Sequence, residues 1–283
     1  MQELLLNNGV AMPAQGYGVF HITDKKQCRE CVLRALETGY RMIDTAAAYH
    51  NEDAVGDAVR DCGIPRKELF ISTKLWVQDS GYENTMKAFH ASLKQLGLDY
   101  LDLYLIHHPF GDYYGSWRAM SRLLEEGLVR AIGVCNFSPD RLIDLCMNQE
   151  IRPAVNQLEL HPFYQQQEAL RVMKRYGVTP QAWGPLAEGQ RNIFRNEILQ
   201  KIAKRHGRTI AQVVLRWNLQ RGVSVIPKTI HPKRMEENLR VWDFELTDSD
   251  MREVGKLDIG HSEIIDHRCW CTARQLNEIK IHE

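Results

Sequence analysis

Short apolar runs, most of them closed by a polar or charged residue, recur along the chain with helical stretches between them, and this alternation leaves few folds open. The runs lie at 16–20, 41–44, 69–74, 102–107, 131–136, 154–157, 179–183 and 223–228, eight in all. Each has the length of a buried strand rather than a helix. Between them the period changes: Met86, Phe89, Leu93 and Leu96 share one helical face, and Leu142, Leu145 and Cys146 share another. Ser138 stands as an N-cap and Pro139 at the first helical position of the latter. A strand–helix–strand repeat about every thirty residues builds right-handed βαβ units, and eight of them close a (β/α)8 barrel.

The remaining segments fit around such a barrel. Residues 4–13, with Asn8-Gly9 in the middle, carry hairpin turn chemistry and are expected to plug the barrel bottom. The interval between the seventh and eighth runs holds two helical patterns, 192–206 and 209–220. After the eighth run come a helical pattern at 234–241 and a short helix opened by Thr247-Asp248-Ser249-Asp250. From Gly260 onward no periodicity is readable. No linker or low-complexity tract interrupts the chain, so one domain is expected over 1–283, a length that single α/β barrels reach.

Charge and cysteine usage narrow the function classes. The 36 basic residues balance the 36 acidic ones, so nothing global attracts nucleic acid or an anionic membrane. Any phosphate site must be local. The first residues carry an early acid, Glu3, and no long apolar core, unlike a secretion signal. No run approaches membrane-spanning length. Seven cysteines, an odd number in a chain of this size, predict reduced thiols and a cytoplasmic location. Cys28 and Cys31 form a C-x-x-C, but in a helical pattern that begins near Asp24 and lacks the strand context of a redox motif. Cys269 and Cys271 are likewise read as helix-face residues.

In a barrel the last residues of every strand face one shared pocket. Collected in order, the polar residues at those ends are Asp44, Lys74, His107, Asn136, Gln157 and Lys228. Three successive strands thus deliver an acid, a base and an imidazole to one face, with Tyr49 on the loop above Asp44. A lysine charge at about 4 Å, in an effective dielectric of about 20, favours a phenolate by on the order of 4 kcal/mol, or about three pKa units. Lys74 is therefore expected to draw the Tyr49 phenol toward neutrality, with Asp44 holding Lys74 protonated. His107 is placed to donate a hydrogen bond to a substrate oxygen. The set reads as a general acid poised to protonate a developing alkoxide. A buried Asp44–Lys74 salt bridge with a satisfied histidine is the bland alternative.

An alkoxide made from a carbonyl needs a hydride source. No G-x-G-x-x-G is present, which argues against a Rossmann domain. Positive charge clusters instead in the stretch from Ile226 to Arg234, where amide donors, a hydroxyl and two or three cations suit the 2′-phosphate of an adenosine. Spacing alone does not separate this from a solvated basic turn.

With these residues assembled, the chain resembles the aldo-keto reductases over nearly its full length. The matching motifs are Asp44-Thr45-Ala46 with Tyr49 and Asn51-Glu52, Ile71 to Trp76, Asp102 to His107, Ile132 to Phe137, Asn156 to Glu159, and Ile226 to Thr229 with Arg234, Glu237 and Asn238. Its likeness is to short bacterial members such as 2,5-diketogluconate and methylglyoxal reductases. The resemblance implies a catalytic tetrad of Asp44, Tyr49, Lys74 and His107, and NADPH as cofactor. It implies that Asn136 and Gln157 bind the nicotinamide carboxamide, that Trp183 stacks on its ring, and that Leu186 and Glu237 also contact the cofactor. It further assigns Lys228, Thr229 and Arg234 to the 2′-phosphate, Asn238 to the adenine, and Trp76 with His108 to the substrate pocket.

Some positions depart from the family pattern. Cys135 and Gly184 stand where serines are usual, Thr229 replaces serine, and His108 replaces an aromatic residue after the catalytic histidine. The adjacent His107 and His108 are not read as metal ligands, because neighbours on a strand point to opposite sides. The implied function is NADPH-dependent reduction of a small aldehyde, ketoaldehyde or keto-sugar, without nucleic-acid or membrane partners and as a monomer. A nicotinamide-binding regulatory or structural module with little turnover is the alternative. In the tail, His267, Arg268, Trp270 and Arg274 are placed to border the pocket, with Arg268 or Arg274 as a carboxylate receiver, although solvated arginines are the commoner case.

Overall fold

All eight apolar runs form parallel strands in a computed structural model that describes residues 2–283. Met1, included in the expected domain, lies outside the described residues. A hairpin comes first, β1 (Glu3–Leu5) against β2 (Ala11–Pro13). The barrel strands follow: β3 (Tyr17–Gly18), β4 (Met42–Asp44), β5 (Phe70–Leu75), β6 (Leu101–Ile106), β7 (Val129–Cys135), β8 (Val155–Glu159), β9 (Thr179–Trp183) and β10 (Ser224–Val225). Spatial order equals chain order from β3 to β10. The ends then meet, because Gln15 forms a parallel bridge with Val225 and the Gly16 N–H donates to the Val225 carbonyl at 2.8 Å. The barrel is closed.

Every residue of β4, β5, β6 and β8 is buried. This explains why they read as apolar runs rather than alternating ones: one face meets the helices and the other fills the barrel. Phe70, Leu103, Leu105, Ala131, Val155 and Met42 pack the interior, and Leu6 and Met12 from the hairpin join them. The hairpin therefore closes the barrel bottom, as its sequence predicts.

The helices are α1 (Lys25–Thr38), α2 (Glu52–Asp61), α3 (Tyr82–Leu96), α4 (Tyr113–Glu125), α5 (Pro139–Asn148), α6 (Gln167–Tyr176), α7 (Glu197–His206), α8 (Ile210–Gln220), α9 (Pro232–Leu239), α10 (Asp248–Gly255) and α11 (Trp270–Glu278). Local chemistry sets their ends. The Asp24 side chain accepts from the Gln27 N–H to start α1, and Gly39 ends it in a left-handed conformation, φ 117°. Capping boxes open α8 (Thr209 with Gln212) and α10 (Thr247 with Asp250). Cys28 and Cys31 fall on the buried face of α1, as their spacing suggests.

Four expectations need correction. The helical pattern from Asn192 does not run unbroken: Glu188, Arg191 and Asn192 are left-handed, 193–195 make only a 3₁₀ turn, and α7 starts where the Asn196 side chain accepts from the Leu199 N–H. Ser138 occupies the N-cap position of α5, but its side chain makes no capping bond there. The tail does contain a helix, α11, which buries only Leu276 and so shows no apolar stripe in the sequence. Cys269 and Cys271 are bonded to each other rather than free; Cys269 is the N-cap of α11 in extended conformation, which lets the two sulfurs approach.

Candidate active site

The strand ends bring an ion pair and a phenol together at the mouth of the barrel. Lys74, from β5, is wholly buried, and its Nζ lies 2.5 Å from Asp44 Oδ1 and 2.8 Å from the Thr45 carbonyl. The second oxygen of Asp44 accepts from Ser72 Oγ at 2.7 Å and from Gln157 Nε2 at 3.1 Å. A buried carboxylate and ammonium are tolerable only when paired and hydrogen-bonded in this way. Lys74 Nζ also approaches Tyr49 Oη, at 3.4 Å.

Tyr49 rides on a single 3₁₀ turn, Ala47–Tyr49, that ends in a left-handed His50, φ 54°. Asn51 braces this loop. Its amide donates to the Val19 and Ile22 carbonyls at 3.2 and 3.1 Å, and its oxygen accepts from Thr45 Oγ1 at 2.7 Å. Glu52, next in the motif, is buried behind the loop and accepts from Thr73 Oγ1 at 2.6 Å. His107, just past β6, sets its ring edge against Tyr49 (centroids 5.7 Å apart) and Trp76 (5.3 Å). By contrast Asp102, at the other end of β6, pairs with Arg66 and Arg130 at 2.7 and 2.6 Å and has no place at the mouth.

The electrostatics differ from the simple expectation in one respect. Burial pushes the Tyr49 phenol up to about 12, against the opposing pull of Lys74. Lysine does draw the phenol down, but desolvation of a phenolate at this depth outweighs it, so Tyr49 keeps its proton. Burial also works against the Lys74 charge, yet Asp44, by its charge and its hydrogen bond, holds the ammonium above the usual lysine range. His107 and His108 are both pushed well below the usual histidine range by burial first and by neighbouring positive charge second. Both imidazoles are neutral at pH 7.

His107 and His108 do not point to opposite sides. β6 ends at Ile106, so strand alternation no longer applies, and the two rings stack in parallel with centroids 4.5 Å apart. His108 Nδ1 lies 3.0 Å from Nε2 of His267, from the tail. Among the described residues, no group of three or more His, Cys, Asp or Glu is arranged to hold a metal ion.

A cavity of about 1190 Å³ opens from this cluster, lined by Asp44, Tyr49, Trp76, His107 and His108 and also by Lys228, Thr229, Arg234, Glu237 and Asn238. Asn136, Gln157, Trp183 and Leu186 complete its wall. Asn136 is left-handed, φ 63°; its amide donates to the His107 carbonyl at 3.0 Å and its oxygen accepts from Trp183 Nε1 at 2.8 Å. Both donors of Gln157 are engaged, by Asp44 and by Gln181 Oε1 at 2.7 Å, so it presents its carbonyl oxygen. Of the residues assigned to the tetrad, the cofactor and the substrate pocket, all line this cavity except Lys74, whose Nζ contacts Asp44 and Tyr49 from within the barrel.

Residues 8–259 match the sequence model of the Aldo/keto reductase family. The chain belongs to that family. It is 47% identical over 254 residues to a glyoxal reductase of Bacillus subtilis, spanning 89% of this chain and 91% of the relative. To a 9,11-endoperoxide prostaglandin H2 reductase of Trypanosoma cruzi it is 45% identical, over 89% of this chain and 90% of the relative. Among solved structures, an aldo-keto reductase from a deep-sea metagenome library superposes with a TM-score of 0.90 at 42% identity, covering 93% of this chain and 99% of the other. A Bombyx mori aldo-keto reductase in complex with NADP superposes with a TM-score of 0.89 at 32% identity, covering 94% and 95%.

In this aldo/keto reductase the roof of the cavity comes from residues that sequence reasoning left open. The tail folds back over the mouth: Trp76 Nε1 donates to the Ile279 carbonyl at 2.9 Å, the Ile281 N–H donates to Gln78 Oε1 at 2.9 Å, and His282 Nε2 lies 2.8 Å from Asp79 Oδ1. Leu276, Ile279 and Ile281 thereby face the cavity beside Trp76. His21 and His50 at the rim also escaped notice; both are left-handed non-glycine residues, which no sequence pattern announces. Of the tail residues expected at the pocket, His267 lines it, whereas Arg268 and Trp270 do not and Arg274 pairs with Glu278 at 2.7 Å on the surface. Cys135 points into the barrel interior, where burial holds its thiol far above the usual range. No helix among the described residues is long and apolar enough to cross a membrane.

Proposed function

We propose that this chain reduces small aldehydes, ketoaldehydes or keto-sugars with NADPH, using Tyr49 as proton donor. The observation that carries the reading is the buried Asp44–Lys74–Tyr49–His107 cluster at a cavity that Lys228, Thr229 and Arg234 also line. Family membership makes the chain an NADP-dependent oxidoreductase, and relatives of this fold have been crystallised with NADP or NADPH. The residues fit that cofactor: two cations and a hydroxyl in the cavity wall match a phosphomonoester, and the Gln157 oxygen matches the N–H of a carboxamide.

When bound, the dinucleotide supplies the hydride that goes to the carbonyl carbon. The protein's own part is at the oxygen. Neutral His107 offers an N–H to hold the carbonyl beside Tyr49. As negative charge develops there, Tyr49 Oη releases its proton to the oxygen, and Lys74, at 3.4 Å, stabilises the phenolate left behind. Asp44 keeps Lys74 charged for that task. A phenol raised to about 12 still protonates an alkoxide readily, since an alkoxide is the far stronger base.

The substrate class rests on the cavity mouth, where imidazoles of His107, His108 and His267 face the indole of Trp76 and the aliphatic tail residues, and on the glyoxal reductase relative. Small carbonyls carrying further hydroxyl or oxo groups suit such a mixed wall. The test is NADPH consumption with methylglyoxal and with a keto-sugar acid, wild type beside Tyr49→Phe. Turnover is expected to fall at least about 10²-fold in the variant while NADPH binding persists. Binding without turnover in either protein would instead support a regulatory nicotinamide-binding module. An unchanged NADPH/NADH preference in Arg234→Ala would remove the phosphate assignment.

A further inference from the structure

The part of the cavity wall that carries Thr229 and Arg234 is gripped by side chains that do not themselves line the cavity. The turn at Thr229 and helix α9 carry Arg234, Glu237 and Asn238, and their backbone carbonyls are taken by four buried donors. Tyr17 Oη donates to the Thr229 carbonyl at 2.5 Å, and Tyr40 Oη to the Met235 carbonyl at 3.1 Å. Gln15 Nε2 donates to the Asn238 carbonyl, and Gln212 Nε2 to those of Glu237 and Arg240 at 3.1 and 2.8 Å. Gln15, Tyr17 and Tyr40 have no solvent exposure. The last carbonyls of a helix lack intrahelical partners and are commonly satisfied by water. Here protein side chains do that work, and a helix of eight residues has little stability of its own to hold it in place.

Three of the four donors come from where the barrel closes on itself. Gln15 pairs with Val225, Tyr17 opens β3, and the rings of Tyr17 and Tyr40 meet edge to face with centroids 5.8 Å apart. Tyr17 holds the residue next in sequence to Lys228. The carbonyl it holds belongs to Thr229, whose own Oγ1 accepts from the His231 N–H at 3.2 Å and so fixes the turn that leads into α9. Lys228, on one side of that peptide, and Arg234, on the first turns of α9, therefore keep a set separation only while the Thr229 carbonyl stays pointed inward.

We infer that Tyr17, supported by Gln15 at the other end of α9, is a positioning residue for recognition of the 2′-phosphate, and so sets the preference for NADPH over NADH without touching either. The inference rests on the reading of Lys228, Thr229 and Arg234 as the phosphate subsite. Tyr17→Phe removes one oxygen and keeps the packed ring; it leaves a buried carbonyl with no donor, which the turn relieves by rotating the peptide toward water.

The test uses the full chain and two nucleotide probes that need no turnover. In Tyr17→Phe the dissociation constant for adenosine 2′,5′-bisphosphate is expected to rise roughly ten- to a hundredfold. That for adenosine 5′-monophosphate should move by less than about twofold, the KM for NADPH should rise, and kcat at saturating NADPH should hold. Gln15→Met removes the grip at the other end of α9; because that carbonyl belongs to Asn238, read as the adenine contact, it should weaken both nucleotides but the bisphosphate severalfold more, and that ratio decides should Tyr17→Phe fail to fold. A merely structural role would lower the unfolding midpoint and weaken both nucleotides in parallel, or neither; either result overturns the inference. Arg234→Ala locates the fault. If it weakens the bisphosphate while Tyr17→Phe and Gln15→Met do not, only the positioning role falls. If it changes nothing, the subsite assignment falls and this inference with it.

Discussion

Lys74 is the residue on which the candidate chemistry turns, because it is bound on both sides: by a carboxylate it must neutralise and by a phenol whose anion it must accept. Lys74→Met should therefore fail twice. Without its cation, Asp44 remains buried among uncharged donors, and removing one member of a buried pair costs about 3–5 kcal/mol; the bonds from Ser72 and Gln157 favour the lower figure. With nothing to stabilise the Tyr49 anion, kcat should fall about 10²–10⁴-fold. Urea unfolding and steady-state kinetics on the one variant check both, and a variant of full activity would remove Lys74 from the mechanism. That Asp44, Lys74, Tyr49 and His107 come together was legible in the sequence because each closes an apolar run or sits just beyond one. Their titration was not. Lysine at the assumed distance argued for a lowered phenol, and only the depth of burial, which no spacing encodes, decides that the phenol rises instead.

Elements were legible to the extent that they bury a continuous face. The barrel strands are covered on both sides over most of their length, β9 least, and announce themselves as runs, and α3 shows its stripe through Phe89, Leu93 and Leu96. Helix α11 buries Leu276 alone and so left no pattern, while the left-handed residues before α7 broke a helical pattern that composition supported. Packing between elements is harder still to read, and Gly56 in α2 is a case. Inside a helix, glycine is normally a weakness, and replacing it with alanine gains about 0.5–1 kcal/mol. Here a Cβ would stand 2.1 Å from the Leu96 carbonyl, at the end of α3. The backbone of one helix rests directly on the other, so Gly56→Ala should reverse the usual sign and destabilise by about 1–3 kcal/mol. A thermal midpoint equal to or above that of the wild type would show that α2 and α3 can separate without cost.

On the scale of the whole molecule the barrel is closed below by a hairpin read from its turn chemistry and above by a tail that the sequence placed at the pocket correctly only through His267, and the two closures differ in how they respond to pH. The hairpin plug is apolar, with Leu6 and Met12 in the interior. The tail is held at the mouth partly through imidazoles: His267 against His108, with His107 stacked beneath. Burial lowers His267 from 6.5 to about 4, and it places His107 and His108 well below 6.5. Depressed values mean that the unfolded chain takes up protons before the folded one does. The stability contributed by the neutral imidazoles is thus complete above pH 6.5 and is lost as pH falls toward 4, at no more than about 1.4 kcal/mol per pH unit for each. His267 has a cheaper route to water than the other two, since it belongs to a segment whose helix buries one side chain. Local release of the tail should therefore precede loss of the barrel as acid is added. Hydrogen exchange at pH 7.5 and 5.5, corrected for the intrinsic rate, is expected to show accelerated exchange in 270–281 while β5 and β6 stay protected, and His267→Gln should abolish the acceleration. If tail and strands lose protection together, the roof is not a separate unit, and the imidazoles are as much a part of the barrel as the plug below.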